Sequence, residues 1–161
     1  MSKGMVIIAD TREQLPFDFG PDVSVISRKL DTGDYSLDGY EGRITIERKR
    51  PGEMFSMCGG GRARFERELS RMQDINQAHR DNRAIVVIEG SSQMVMDAQG
   101  KYTKIKPATV MRSTRQWIVR YDVHFYFMGG KVHGLPTDIT AREHAKAWTF
   151  QMLSGWFKVH G

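Results

Sequence analysis

One aliphatic segment in the middle of the chain limits the fold more than any other feature. Residues 84–88 form an unbroken apolar run that ends at Glu89-Gly90. A run of this length predicts a strand buried on both faces, which is typical of a central strand in a parallel sheet. A helix packed beside the strand would cover one of those faces, so we expect an α/β protein.

The rest of the chain shows strand and helix patterns on both sides of this run. Residues 34–37 and 43–49 predict a β-hairpin, because the turn-rich residues 38–42 separate them, and the sheet is therefore expected to begin with antiparallel strands. Further strands are predicted at residues 5–9, 23–30 and 123–128. Helices are predicted after the glycines at 59–61, from Pro107 to Tyr121, and from a capping box at Thr140 and Glu143 to about Lys158.

The composition narrows the class of protein. A length of 161 residues suits a single domain, and 24 basic against 19 acidic residues give a net charge of +5. That charge favours a polyanionic partner, but charge alone does not separate nucleic acid from an anionic membrane. No stretch approaches the roughly 20 apolar residues that a membrane span needs, so we expect a soluble, intracellular protein without a membrane partner.

Several types of site are excluded or disfavoured. A single cysteine, Cys58, excludes an intrachain disulfide and any CxxC zinc cluster, and the five histidines have no ligand-like spacing. The glycines at 59–61 lack the Gly-Lys-Ser/Thr ending of a P-loop, so a hinge is the better interpretation.

Three charged side chains converge if the hairpin forms. Alternation along a strand places Glu47 and Lys49 on one face, and Asp34 on the neighbouring strand can project into the same site. Two carboxylates suit a hard divalent cation, since Mg²⁺ prefers oxygen ligands and Mn²⁺ should substitute for it. Lys49 would orient the attacking water or stabilise the transition state. Taken alone, however, Glu-x-Lys is more typical of an exposed acid and base pair on a strand than of a catalytic site.

A wider set of residues carries a resemblance to a known family. Gly33-Asp34, Glu47-Arg48-Lys49 and Glu53 resemble the GD(x)nERKxxxD pattern of ERCC4-type (XPF/MUS81-like) nuclease domains in the PD-(D/E)xK superfamily. Glu53 stands where the family usually has aspartate, and its longer side chain keeps the charge but alters its reach. The resemblance extends to residues 10–13, 62–69 and 85–90, so it covers most of the chain.

The resemblance implies a fold, roles for individual residues of the site, and partners that bring the protein to its DNA. The fold would be a restriction-endonuclease-like mixed sheet with an antiparallel start, flanked by helices, with residues 1–161 forming one nuclease domain. Relatives commonly work as dimers and carry a helix-hairpin-helix DNA-binding domain, for which this chain has no room, so selectivity would reside here or in a separate targeting protein. The implied metal ligands are Asp10, Asp34 and Glu47; the implied catalytic residues also include Lys49, Arg48 and Glu53; and Arg12 would support the site or contact phosphate.

The activity implied is Mg²⁺-dependent hydrolysis of phosphodiester bonds in DNA, particularly branched or partly single-stranded DNA. The compact form suggests a bacteriophage or prokaryotic version, working in the cytoplasm in repair, recombination or phage DNA processing. The alternative is a noncatalytic DNA-binding or scaffolding module, because a nuclease fold can lose its chemistry and keep a basic surface.

Two groups of residues, all basic except Tyr102, are candidates for DNA contact. Each group also has an interpretation that involves no DNA. The residues of the first group can form ion pairs with Glu66 and Glu68 on the helix surface, and the second group can be a charged loop that contacts only solvent. The first group is Arg62, Arg64, Arg67 and Arg71; the second is Lys101, Tyr102, Lys104 and Lys106.

The last predicted helix is more apolar than one buried stripe requires. Core packing is the default interpretation, and part of the helix could alternatively contact a second subunit, giving a homodimer. The residues concerned are Trp148, Phe150, Met152, Leu153, Trp156 and Phe157.

Overall fold

The computed structural model describes residues 4–98, 103–129 and 140–161. Within these ranges, four strands come first, and helices then separate the remaining two strands. The strands are β1 (Ile7–Ala9), β2 (Val25–Ser27), β3 (Tyr35–Leu37), β4 (Ile44–Lys49), β5 (Arg83–Ile88) and β6 (His124–Phe127). The helices are α1 (Glu53–Cys58), α2 (Arg62–Ala78), α3 (Ser92–Asp97), α4 (Pro107–Tyr121) and α5 (Ala141–His160).

The strands form one mixed sheet in the order β2-β1-β3-β4-β5-β6. β3 pairs antiparallel with both β1 and β4, which confirms the predicted hairpin and the antiparallel part of the sheet. β4, β5 and β6 are mutually parallel, so β5 is the buried central strand that its aliphatic run predicts. β2 joins the edge of the sheet parallel to β1.

Apolar cores lie on both faces of the sheet. On one face, Val86 and Ile88 of β5 pack with buried residues of α1, α2 and α4. On the other face, Ile44 and Ile46 of β4 pack with buried residues of α5. The result is a sheet between two helical layers, and alternation along β4 sends neighbouring side chains to opposite layers.

The structure differs from the predicted elements chiefly in short segments. α1 and α3 were not predicted, because six residues are too few to show a helical period. The strand predicted at residues 23–30 is limited to Val25–Ser27. Asp34, predicted as the first residue of its strand, lies immediately before β3.

The two long C-terminal segments follow their sequence signals closely. α4 begins with Pro107 and ends at Tyr121, and Asp122, which caps its C-terminus, has a positive φ of 51°. α5 begins after Thr140, whose side chain accepts a hydrogen bond from the Glu143 amide at 3.2 Å. None of the helices in the described part of the chain is long and apolar enough to cross a membrane.

Candidate active site

The site begins with the backbone of Gly33, which positions Asp34. Gly33 has a φ of +82°, and a Cβ added there would lie 2.1 Å from the Thr45 side-chain oxygen. The Asp34 amide then donates to the Ile46 carbonyl at 2.8 Å, and the Asp34 carbonyl accepts from the Asp10 amide at 2.8 Å. Gly33 therefore lets the chain pass close to β4 while aligning Asp34 with it.

We expect Gly33→Ala to destabilise the protein by about 2–4 kcal/mol, because it combines an unfavourable φ with a clash against the Thr45 hydroxyl, which a hydrogen bond to the Thr32 carbonyl holds in place. Urea unfolding would measure the loss. Gly39→Ala is the matched control, since Gly39 has a similar φ of +85° with no atom within 4 Å of an added Cβ. Equal losses in both variants would contradict a role for the close approach to Thr45.

The strand register places Asp34 directly opposite Glu47. Tyr35 pairs with Ile46 and Ser36 with Thr45, so Asp34, one residue before Tyr35, lies opposite Glu47, one residue after Ile46. Glu47 and Lys49 pair with Val86 and Ile88 of β5, which belong to the α1/α2/α4 core, and both side chains face that layer. The predicted convergence of Asp34, Glu47 and Lys49 is thus present in the geometry.

These three side chains line a cleft of about 490 Å³, at the end of the sheet beside α2. An oxygen of Asp34 accepts from the Arg48 amide at 2.7 Å. The Lys49 ammonium forms a salt bridge with Glu47, whose residue is 4% exposed, and lies 5.6 Å from the Phe65 ring centroid. The charged groups are therefore largely removed from solvent.

Burial and mutual repulsion disfavour the ionised carboxylates. Burial raises the pKa of Asp34 to about 6. Burial, and then repulsion from Asp34, raise the pKa of Glu47 well above its ordinary value. Burial works against the charge of Lys49, but attraction to Glu47, Glu68 and Asp34 outweighs it and leaves the pKa of Lys49 raised. Lys49 is therefore an ammonium at neutral pH.

This donor set fits a hard divalent cation. Asp34 and Glu47 supply opposing carboxylate oxygens, and a cation between them would offset the burial that raises the pKa of both groups and the repulsion from Asp34 that adds to it at Glu47. Mg²⁺ commonly uses only one or two carboxylates and completes its shell with water and phosphate. In the described residues no group of three or more His, Cys, Asp or Glu side chains is arranged to hold a metal ion.

Asp10 lies at the edge of the cleft with its oxygens already engaged. The Arg12 guanidinium donates to both oxygens, at 2.8 and 3.1 Å, and the amides of Arg12 and Leu30 donate at 2.9 and 2.6 Å. Burial alone would raise the pKa of Asp10, but these hydrogen bonds outweigh it and hold the pKa below its ordinary value. A metal at Asp10 would have to compete with Arg12, and its role as a third ligand stays a prediction.

The Arg48 side chain points away from Glu47 and Lys49, towards the α5 layer. Its guanidinium forms salt bridges with Glu13 and Glu89, and all three side chains are no more than 8% exposed. Arg142 of α5 also binds Glu89, at 2.9 Å. Arg48 thus supports the site from behind while its amide holds Asp34, and a direct catalytic role for it stays a prediction.

Glu53 lies at the mouth of the cleft, in the first turn of α1. Its carboxylate accepts from the Arg50 amide at 2.8 Å and lies 3.3 Å from the Arg50 guanidinium. These contacts stabilise the turn between β4 and α1. The last acidic position of the sequence pattern therefore shapes the wall of the cleft, and a catalytic role for it remains untested.

The predicted basic stripe of α2 divides between two surfaces. Arg64 and Arg71 line the cleft, while Arg62 lines a separate groove and Arg67 lines neither. Glu68, which the sequence reasoning did not assign to the site, also lines the cleft. Its spacing of four from Arg64 and three from Arg71 was the signal that could have placed it there.

The described members of the second group of predicted DNA contacts lie away from the cleft. Lys104 and Lys106 are exposed near the start of α4 and do not line the cleft. Lys101 and Tyr102 lie outside the described residues.

Comparisons with known proteins support the same family. The family model described as the ERCC4 domain matches residues 9–132, a range that contains the whole cleft sequence from Asp10 to Arg71. The solved structure of XPF from Aeropyrum pernix matches with a TM-score of 0.53 at 15% identity, covering 91% of this chain and 74% of that chain. At this identity the likeness shows a shared fold. No curated protein sequence gives a significant match.

Proposed function

Since the chain belongs to the ERCC4 domain family of nuclease domains, we propose that it is a Mg²⁺-dependent endonuclease that hydrolyses phosphodiester bonds in DNA. Its substrate is branched or partly single-stranded DNA, processed in repair, recombination or phage DNA metabolism in the cytoplasm of a bacterial or phage-infected cell. Residues 1–161 form one nuclease domain. Mn²⁺ substitutes for Mg²⁺.

One observation carries this proposal: Asp34 and Glu47 face each other in a cleft that also holds the Lys49 ammonium. Opposed carboxylates on neighbouring strands normally destabilise a sheet. Burial raises the pKa of Asp34, and burial together with repulsion from Asp34 raises the pKa of Glu47, so the fold keeps two carboxyl groups where their charged forms are disfavoured. A divalent cation would balance the charge of the two carboxylates, and a phosphate would balance the charge of the cation and of the Lys49 ammonium.

The chain's own residues define the chemistry. Asp34 and Glu47 hold the metal, which when bound polarises the scissile phosphate and stabilises charge on the leaving oxygen. Lys49 is protonated, so it donates hydrogen bonds to the attacking water or the phosphate oxygens and does not act as a base. The Arg48 amide fixes the orientation of Asp34.

The basic wall of the cleft provides the contacts to the DNA backbone. Arg64 and Arg71 on α2 and Arg12 after β1 line the cleft around the carboxylates. Arg12 is 63% exposed at its side chain while it binds Asp10, so it can reach a phosphate as well. These contacts position the strand without reading its sequence.

The test is cleavage of labelled single-stranded, duplex, flap and four-way-junction DNA with Mg²⁺, Mn²⁺ or EDTA. We expect metal-dependent cuts that EDTA abolishes and that Lys49→Ala reduces by about 100-fold to 1000-fold, the usual effect of losing one transition-state donor. Lys29→Ala removes an equal charge at an exposed position and should cut normally. Binding without cutting across the whole panel would overturn the proposal in favour of a noncatalytic DNA-binding module.

Homodimerisation through α5, or recruitment by a targeting protein, remains part of the proposal without direct support from the packing. Leu153 and Trp156 are buried in the chain's own core, and Trp148, Met152 and Phe157 pack against it. Val159 is 73% exposed near the end of the helix. The core therefore accounts for most of the apolar excess of α5.

A further inference from the structure

The positive charge of the chain is concentrated in one segment. Residues 101–121 contain six basic residues and no acidic one, whereas the remaining 18 basic and 19 acidic residues nearly cancel. The net charge of +5 therefore arises from this segment. Its described part comprises residues 103–121, which include the whole of α4.

The arginines of α4 lie together on its solvent face. At 100° per residue, Arg112, Arg115 and Arg120 fall within an arc of about 140°, together with Gln116 and Val119. All five residues are exposed. At about 1.5 Å per residue the three arginines span about 12 Å, which corresponds to three or four phosphates along one DNA strand.

These arginines are not neutralised by the protein. Within the described ranges none of the three forms an ion pair with a carboxylate, in contrast to Arg28 and Arg48, which each bind two. A face with this much uncompensated charge has strong complementarity to a polyanion.

A groove joins this face to α2. It has a volume of about 550 Å³, and Arg115 and Arg120 line it together with Arg62. Arg62 is held over the Trp117 ring at 5.2 Å and by Glu66 at 3.2 Å, so Arg62 forms a fixed wall of the groove. Trp117 is anchored in turn by its indole N–H, which donates to Glu66 at 2.9 Å.

The α4 face and the candidate active site lie on opposite sides of α2. Arg62 and Glu66 line the groove, whereas Arg64, Glu68 and Arg71 line the cleft. Around the helix axis these two sets point roughly 180° apart at 100° per residue. One DNA segment held in the cleft therefore leaves the α4 face free for another.

We propose that the exposed face of α4 binds the phosphate backbone of a second duplex arm of a branched DNA while the scissile strand lies in the cleft. This inference rests on the proposed function, because it takes the cleft to hold DNA. The α4 face binds this duplex through the charge of its phosphates and without sequence preference. It also gives the chain its own means of preferring branched over linear DNA.

The test compares the variant Arg112→Ala/Arg115→Ala/Arg120→Ala with a control that loses the same charge elsewhere. The control is Lys29→Ala/Arg80→Ala/Lys158→Ala. All three residues are exposed: Lys29 lies after β2, Arg80 lies in the loop between α2 and β5, and Lys158 lies in the last turn of α5. Fluorescence anisotropy with a labelled flap and a linear duplex of equal length, in EDTA to prevent cutting, would give affinities and their salt dependence.

We expect the α4 variant to bind the flap about 10-fold to 100-fold more weakly at about 100 mM salt, with a log–log salt slope shallower by about 2–3. The flap's advantage over linear duplex should disappear in this variant and persist in the control. Equal weakening in both variants, or an unchanged flap preference in the α4 variant, would overturn the inference.

The binding experiment, together with the cleavage assay on the DNA panel, separates this inference from the proposed function. If the wild type cuts DNA with Mg²⁺ but the α4 variant binds the flap like the control, the nuclease stands and the second-arm surface falls. If the α4 variant loses flap binding while the wild type cuts nothing with any metal, the surface stands and the nuclease falls.

Discussion

Glu47→Gln should lower the rate of DNA cleavage about 1000-fold or more and should abolish the stabilisation of the protein by Mg²⁺. The substitution keeps the size of the side chain but removes one of two opposed carboxylates, so the cleft loses much of its attraction for a divalent cation. In the wild type, Mg²⁺ well above its dissociation constant should raise the melting temperature by about 5 °C or more. Differential scanning fluorimetry alongside the cleavage assay would measure both effects.

The Mg²⁺ effect should depend on pH in a defined direction. The pKa of Asp34 is raised from 3.8 to about 6 in the folded chain, and that of Glu47 is also raised. The folded protein therefore holds protons that the unfolded chain has released, and without metal Asp34 makes stability fall between about pH 4 and pH 6. Protons also compete with Mg²⁺, so the increase in melting temperature should be larger at pH 8 than at pH 5.5.

A suitable control is Glu143→Gln, which removes an equal charge from an exposed glutamate on α5. This variant should cut DNA and respond to Mg²⁺ as the wild type does. A Glu47→Gln protein that still cuts with Mg²⁺, or still melts at a higher temperature with it, would contradict the assignment of Glu47 as a metal ligand.

The sequence predicted the centre of the site because that centre depends on local geometry. The turn-rich residues 38–42 fix the hairpin, and alternation along β4 then decides that Glu47 and Lys49 share a face. The mixed sheet followed from the aliphatic run of β5 and is confirmed. The hairpin, the shared face of Glu47 and Lys49, and the buried strand can each be inferred from residues close together in the sequence and from the two-residue period of a strand.

The outer part of the site could not be predicted, because its contacts join distant parts of the chain. Arg48 binds Glu13 and Glu89, which lie 35 and 41 residues away, and Arg142 approaches Glu89 from α5. Alternation along β4 places Arg48 on the opposite face from Glu47 and Lys49, but it does not reveal which carboxylates Arg48 meets there. α1 and α3 escaped prediction for a different reason, since six residues do not complete two helical turns.

Arg48→Met should destabilise the protein by about 3–5 kcal/mol, because it removes the cation that the buried Glu13 and Glu89 share and leaves only Arg142 beside Glu89. The melting temperature should fall by about 10 °C. Arg48→Lys should recover part of the loss at most, since one ammonium cannot reproduce the guanidinium fork that binds both Glu13 and Glu89. Urea unfolding of the two variants would give the free energies.

Arg28→Met is the matched control for this effect, because Arg28 also binds two carboxylates, Asp38 and Glu41, but its side chain is 47% exposed. Its loss should cost less than about 1 kcal/mol. If Arg48→Met unfolded at the same urea concentration as the wild type yet lost cleavage, Arg48 would act on the substrate directly. If instead its stability falls and Mg²⁺ still raises its melting temperature, the buried arginine holds together β4, the loop after β1 and α5, and the carboxylates on the opposite face of β4 perform the chemistry.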